Sequence, residues 1–295
     1  MKLAVVGSMN MDMTVTAERI PSKGETLLGN SIRYIPGGKG ANQAVAMARL
    51  GAEVEMFGCV GDDENGRRLV RNLEKEGIKT GNISVLKDTP TGIAMITVGE
   101  NDNTIIVVPG ANGKVDRDYA ERIKEKLEAY DMVIMQQEIP LDTVHHIVNF
   151  CSEKGIPVVL NPAPAAVVPM EIIEKVTYLT PNEHEAALIF GDGASTEELL
   201  KKYPDKLVIT QGSKGVSAAL PSGEIVNIPA RPAKVVDTTG AGDTLNGAFC
   251  VKAAEGAGLK EALVYANTAA SLSTEKFGAQ GGMPYAKEVD KELGI

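Results

Sequence analysis

Val235-Val236-Asp237-Thr238-Thr239-Gly240-Ala241-Gly242-Asp243-Thr244-Leu245-Asn246-Gly247-Ala248 packs more chemical requirements into a few residues than any other stretch of this chain. Two β-branched apolar residues lead into an acid, Thr-Thr-Gly-Ala-Gly follows, and Asp243 opens a helix-compatible run. Gly240 and Gly242 permit backbone angles and close approaches that a side chain forbids. The pattern predicts a loop whose N–H groups, from Gly240 through Ala241 and Gly242 to Asp243, converge before a helix N-terminus. The dipole there amounts to roughly half a positive charge, which suits phosphate oxygens or a developing oxyanion.

Asp243 sharpens that expectation. A carboxylate beside a phosphate-attracting loop repels the ligand unless it has a task of its own. Accepting the proton of a hydroxyl that attacks a terminal phosphate is such a task, and general-base help is worth roughly 10²- to 10⁴-fold. The structural alternative is an acid that merely complements its helix dipole. The glycines before it and the small residues Asn246-Gly247-Ala248 behind it favour chemistry and a tightly packed helix.

Working outward, a second glycine-rich segment, Gly37 to Gly51 (GGKGANQAVAMARLG), feeds a helix expected over about 41–50. Its spacing fits neither the dinucleotide fingerprint nor the Walker loop, and no GxxxxGK[ST] occurs in the chain. Lys39 and Asn42 offer donors complementary to hydroxyls, although a lysine in a loop is also ordinary surface. Leu3-Ala4-Val5-Val6 reads as a buried first strand running into Ser8-Met9-Asn10-Met11-Asp12. Ligands of α/β sheets gather beyond strand carboxyl ends, so Asn10 and Asp12 are placed to grip a polyol or, equally, to stabilise their own turn.

Further apolar runs at 54–60, 132–135, 157–160, 176–179 and 207–210 read as strands, separated by helices over about 65–76, 116–128, 243–255 and 260–275. Four others, 13–17, 31–35, 92–98 and 103–108, interrupt that alternation and predict a small β-sheet lid, at about 12–37 and 91–108, beside the main sheet. The fold expected is α/β, a single domain over 1–295 with a mostly parallel central sheet, helices on both faces and the lid. Glu138 ends one strand. Glu183 and Glu185 follow another and could simply complement a helix N-terminus. The turn Gln211-Gly212-Ser213-Lys214-Gly215 could be a hairpin connection. His145 and His146 are adjacent on a predicted helix, face different directions and have no metal role.

At 295 residues, with 43% hydrophobic and 23% charged residues, the chain has ordinary globular composition. A net charge of −9 disfavours broad nucleic-acid or acidic-membrane binding, so a phosphate site must be made locally. A strand begins almost at once and no run is long enough to span a membrane, which predicts a cytoplasmic protein. Cys59, Cys151 and Cys250 lack metal-ligand spacing and read as small buried hydrophobes.

DTTGAGDTLNGA resembles the second signature of the PfkB, or ribokinase-like, family of sugar and nucleoside kinases, and GGKGANQAVAMARLG resembles its first. The two lie about 200 residues apart in the family's order, and the resemblance covers essentially the whole chain. It implies a ribokinase-like three-layer α/β/α sandwich and ATP-dependent phosphorylation of a sugar. D-ribose, phosphorylated at O5, is the expected acceptor; deoxyribose, fructose and adenosine are the alternatives. By the same resemblance Asp243 is the general base and Gly240, Ala241 and Gly242 form the anion hole. Asn10, Asp12, Gly38, Lys39, Asn42 and Glu138 hold the sugar. Asn182 and Glu185 stand near the nucleotide phosphates and their Mg²⁺, while Thr210, Gln211, Gly212, Ser213, Lys214, Gly215, Gly242 and Asn267 line the nucleotide site. Asp237, Thr239, Ser273, Lys276, Gly278 and Gly282 correspond to a K⁺ site that holds the anion loop in shape. Gly282 stands where relatives often have Ser, and Asn267 where they often have His. A homodimer through the lid is also implied. The rivals are a dehydrogenase, which would need a GxGxxG absent here, and a pure sugar-binding module, which has no use for Asp243 beside an anion loop.

Overall fold

The computed structural model describes residues 1–100, 102–191 and 193–295. Its centre is a six-stranded parallel sheet formed by β1 (Lys2–Val6), β4 (Glu53–Gly61), β5 (Lys79–Leu86), β8 (Met132–Met135), β9 (Val158–Leu160) and β10 (Tyr178–Leu179). The order is β10-β9-β8-β1-β4-β5, so β1 sits inside and pairs with β4 and β8. Its four apolar residues are buried, and the twofold alternation of a strand sends them to opposite faces. Leu3 and Val5 join one core and Ala4 and Val6 the other. Both faces are covered, as a parallel sheet requires.

One core lies under α1 (Lys39–Arg49), α2 (Glu64–Lys75), α8 (Ala241–Ala254), α9 (Leu259–Ser273) and α11 (Ala286–Leu293). The other lies under α3 (Arg117–Ile123), α4 (Leu141–Lys154), α5 (Met170–Lys175), α6 (Glu183–Phe190) and α7 (Thr196–Lys202). A short α10 (Ala279–Gly282) leads into the last helix. Beyond β10, the antiparallel strands β11 (Val208–Thr210), β12 (Val216–Ala219) and β13 (Ile225–Ile228) extend the sheet through the parallel bridges Leu179 to Leu207 and Asn182 to Thr210.

The four interrupting segments form a separate sheet, as expected: β2 (Asn10–Thr16), β3 (Ser31–Gly37), β6 (Gly92–Gly99) and β7 (Asp102–Val108), in the order β3-β2-β6-β7. Strand β2 leaves β1 after only Gly7, Ser8 and Met9, so the lid is tied directly to the carboxyl edge of the central sheet.

Three readings needed adjustment. Strand β5, with the mixed sequence KTGNISVL, was not anticipated; as an edge strand it carries no continuous apolar run. The helix expected over 116–128 is α3 followed by a 3₁₀ segment, Lys124–Ala129. The strand expected over 176–179 pairs only at Tyr178 and Leu179. Cys59, Cys151 and Cys250 are buried and unpaired. Among the described residues no helix is long and apolar enough to cross a membrane.

Candidate active site

Parallel strands end on the same edge, and the loops leaving β1, β8, β9 and β10 carry Ser8 to Asn10, Gln136 to Glu138, Asn161 and Thr180 to Asn182 to one region. Helices α1 and α8 meet there by their N-terminal turns. Gly247 of α8 lies so close to α1 that a Cβ on it would stand 2.6 Å from the Cβ of Ala46.

At the start of α8, Gly240 is left-handed, with φ of 78°, and a Cβ there would come within 2.7 Å of the Cβ of Ala279. Glycine is therefore required on two counts. The Ala241 amide donates to the carbonyl of Thr238. The next two amides, of Gly242 and Asp243, donate to no protein group among the described residues, which leaves the open first turn ready for an anion.

Asp243 itself is 8% exposed. Its Oδ2 accepts a hydrogen bond from Asn42 Nδ2 at 2.9 Å and its Oδ1 one from Gln43 Nε2 at 3.1 Å. Burial pushes its carboxyl above the usual range; Lys39 and the two amides oppose that shift, and Glu138 adds to it. Lys39 lies between three acids. Burial by itself would lower its ammonium, but Asp243, Glu138 and Glu185 outweigh that and hold it above the ordinary lysine value.

The remaining polar groups form a tight wall. Glu138 Oε2 accepts from the Ser8 hydroxyl at 2.5 Å and from the Lys39 amide at 3.0 Å. Asn10 is buried, and its Oδ1 accepts from Asn112 Nδ2 at 2.7 Å. Gly38, with φ of 89°, passes so close that a Cβ on it would be 2.6 Å from the Asn10 nitrogen. Asp12 stands on β2 beside the junction with β3. Burial, then the charges of Glu138 and Asp243, raise its carboxyl to about 7. The structure thus brings Asn10, Asp12, Gly38, Lys39, Asn42, Glu138 and Asp243 together.

On the other side of the α8 N-terminus lies a cavity of about 580 Å³ lined by Asn182, Thr210, Gly212, Ser213, Gly215, Gly242 and Asn267, among others. Its wall is otherwise mainly small and apolar, with Ala230, Pro232, Val235, Leu245 and Ala270. Asn267 Nδ2 is committed to the Pro229 carbonyl at 2.7 Å. Gln211 and Lys214 stand apart from this lining and reach Glu183 at 3.3 and 3.5 Å. The segment 211–215 is the hairpin connection between β11 and β12, so both readings of it meet in one turn. Asn182 and Glu185 form a reciprocal capping box on α6, each bond 2.8 Å.

The Asp237 carboxylate accepts from the Thr239 amide and hydroxyl at 2.9 and 2.7 Å and from the Gly278 amide at 2.9 Å. It thereby pins the glycine loop to the segment before α10. Ser273 and Lys276 turn their carbonyl oxygens toward Gly282, where a Cβ would lie 2.1 and 3.5 Å from them. The Lys276 ammonium faces away, pairing with Glu288 at 3.3 Å. His146 pairs with Glu121 on the far helical face, and no group of three or more metal-ligating side chains occurs among the described residues.

The profile of the pfkB family carbohydrate kinases matches residues 1–286. The chain belongs to the pfkB family of carbohydrate kinases. Within it, the chain is 49% identical over 291 residues to the ribokinase of Bacillus subtilis, covering 99% of each, and 46% identical over 294 residues to that of Lactococcus lactis, covering 99% and 97%. Among solved structures, a ribokinase from Thermotoga maritima superposes with a TM-score of 0.90 at 34% identity, covering 99% of both chains. The Arabidopsis thaliana ribokinase complexed with ribose and ATP gives 0.89 at 32%, covering 99% and 98%. This pfkB-family chain is accordingly a sugar kinase with the three-layer fold read from its pattern.

Sequence reasoning passed over several members of the site. Gln43, Gln136, Asn161 and Gln280 are buried and surround Asp243 and Asn42. Gln43 lies inside the glycine-rich segment Gly37 to Gly51, on the buried face of α1, which was a usable signal. Gln136 and Asn161 follow strands β8 and β9 directly, so the strand-end rule pointed to them, whereas Gln280 carried no local signal.

Proposed function

We propose that this chain transfers the terminal phosphoryl group of ATP to the 5-hydroxyl of D-ribose. The observation that carries the proposal is the position of Asp243: a buried carboxylate in the open first turn of α8, between a wall of hydroxyl-matching polar groups and a roomy cavity. Ribose would lie among Asn10, Asp12, Gly38, Lys39, Asn42 and Glu138, and ATP in the cavity lined by Thr210, Gly212, Ser213, Gly215 and Asn267. The ribokinase relatives and the neighbour holding both ribose and ATP support this choice of substrates.

Asp243 accepts the proton of the acceptor hydroxyl as its oxygen forms a bond to the terminal phosphorus and the bond to the leaving diphosphate oxygen breaks. The amides of Gly242 and Asp243, with those of Gly240 and Ala241 shaping the loop, meet the charge that spreads over the transferred group. Such transfers rest on positioning and electrostatic stabilisation. Lys39 offsets the acidic cluster, so the anionic nucleotide can approach.

The donor set fits a Mg²⁺ carried mainly by the nucleotide. One oxygen of Glu185 caps α6 and the other is uncommitted, which suits a hard cation that keeps most of its waters. Mg²⁺ supplies charge neutralisation on the phosphates when bound. The carbonyls of Ser273 and Lys276 converging near Gly282, with Asp237 and Thr239 beside Gly278, fit a large monovalent cation such as K⁺. It would keep the glycine loop in shape without a side chain from Gly282. The lid exposes Tyr34, Met95, Ile105, Ile106, Val107 and Val108, an apolar surface suited to a homodimer through the lid.

A coupled assay with ribose, deoxyribose, fructose and adenosine, with and without K⁺, tests the reading. Ribose should give the highest kcat/KM and K⁺ should raise it. A preference for another acceptor would reassign the substrate, and no ATP turnover with any of them would overturn the kinase reaction.

A further inference from the structure

We infer that Gln43 and Gln280 are positioning residues for Asp243, each inside an amide relay that ends on one oxygen of its carboxylate. This rests on the reading of Asp243 as the base. The first relay runs from Gln136 Nε2 to Gln43 Oε1 at 2.7 Å and from Gln43 Nε2 to Asp243 Oδ1 at 3.1 Å. The second runs from Asn72 Nδ2 to Gln280 Oε1 at 2.8 Å, from Gln280 Nε2 to Asn42 Oδ1 at 3.0 Å, and from Asn42 Nδ2 to Asp243 Oδ2 at 2.9 Å.

An amide can face a carboxylate with its oxygen or its nitrogen, and only the nitrogen attracts it. Each relay removes that choice. Because Gln136 donates into the Gln43 oxygen, the Gln43 NH₂ must point at Asp243, and its second hydrogen goes to Asn161 Oδ1 at 3.1 Å. Gln280 does the same for Asn42. Gln43 and Gln136 are both fully buried, and the Gln136 Oε1 has no protein partner among the described residues. Asn161 is itself anchored by donating to the Thr180 carbonyl at 3.1 Å. Hydrogen bonds to a charged acceptor are the strong ones and favour its ionised form.

Two consequences follow for the base. The carboxylate is fixed in rotation about its Cβ–Cγ bond while each oxygen keeps lone pairs for the sugar hydroxyl. The amides also offset the burial that would otherwise protonate it. The charged groups that face Asp243 are Lys39 from α1, Glu138 from the loop after β8 and Asp12 from β2; only Lys39 is cationic. With two other acids so near, the Lys39 charge and then the Asn42 and Gln43 amides of α1 oppose the protonation of Asp243, and Gln280 of α10 holds the Asn42 amide in that orientation.

The test uses the full chain with Gln43→Met and, separately, Gln280→Met, which keep bulk and remove the donor. The readouts are kcat as a function of pH, sugar KM and thermal melting, with Asp243→Asn alongside. For Gln43→Met the acidic limb of kcat should move up by about one pH unit and kcat at neutral pH should fall about tenfold, as loss of one charge-assisted bond implies, with sugar KM within about threefold. Gln280→Met should shift the limb in the same direction by less. An unmoved acidic limb in a folded Gln43→Met would overturn the relay. So would a fall of kcat matched by an equal rise of KM. If Gln43→Met fails to fold, Gln280→Met decides alone by the same limb. Normal turnover in Asp243→Asn would instead overturn the base reading on which the relay stands.

Discussion

The two sides of the α8 N-terminus are built by opposite means. On the proposed sugar side, side chains from α1, β2, α10 and the loops after β1, β8 and β9 gather, most of the buried amides have named partners, and the Asp243 carboxylate is held through both oxygens. On the proposed nucleotide side the cavity is lined largely by small and apolar residues, with Asn182, Arg231 and Asn267 among its few large polar ones, and the Gly242 and Asp243 amides beside it have no protein partner among the described residues. On the proposed function, one side would be preorganised for a small, stereochemically defined acceptor and the other would be shaped space for ATP to complete. The lesson is that single side chains should matter greatly on the first side, whereas on the second the backbone path should matter and individual side chains little.

The largest effect should come from the sugar side. Asp243→Asn should lower kcat by roughly 10²- to 10⁴-fold, the usual value of a general base, with ribose binding changed by less than about threefold. Steady-state kinetics and calorimetric titration check this, and a comparable loss in both would mean that Asp243 chiefly binds.

Next comes the backbone of the nucleotide side. Gly240→Ala imposes a left-handed alanine and a contact 2.7 Å from Ala279, so the loop must shift. A penalty of about 1–3 kcal/mol corresponds to a fall of roughly five- to 150-fold if it falls on the transition state. Kinetics with saturating ribose would show it, and parental kcat would mean that the loop path is not critical.

A smaller effect concerns pH. In the fold the Asp12 carboxyl titrates near 7, against 3.8 for the free side chain. Between those values the folded chain holds a proton that the unfolded chain has released, so this residue's contribution to stability falls as pH rises from about 4 to about 7. Asp12→Asn has no such proton. The melting temperature of Asp12→Asn relative to the parent should therefore climb across that window, and a constant difference would contradict the burial of Asp12 among like charges. The smallest effect belongs to Lys214, which is 72% exposed and pairs loosely with Glu183 at 3.5 Å. Lys214→Ala should leave the ATP KM within about twofold, as exposed pairs contribute little.

Legibility in the sequence follows the same division. The strands with continuous apolar runs, the lid strands and the helix after the glycine loop were readable because period and punctuation are local. So were Asp243, Lys39 and Asn42, which sit inside dense motifs. Strand β5 was not readable, because an edge strand buries little and its pattern is mixed. The relay pairings were not readable for a different reason. Gln136 lies 93 residues from Gln43, and Gln280 lies 238 from Asn42, so only the folded sheet makes neighbours of them. A buried amide and an exposed one look alike until the chain is folded. Lys214, placed at the nucleotide site by the family resemblance alone, is not among the residues that line the cavity.

The most direct test of the account is a crystal structure of the chain with ribose and a non-hydrolysable ATP analogue. The account predicts the ribose 5-hydroxyl within about 2.6–3.2 Å of an Asp243 carboxylate oxygen, with the terminal phosphate facing the Gly242 and Asp243 amides. A sugar bound with that hydroxyl directed away from Asp243, or a terminal phosphate held far from the α8 N-terminus, would contradict it.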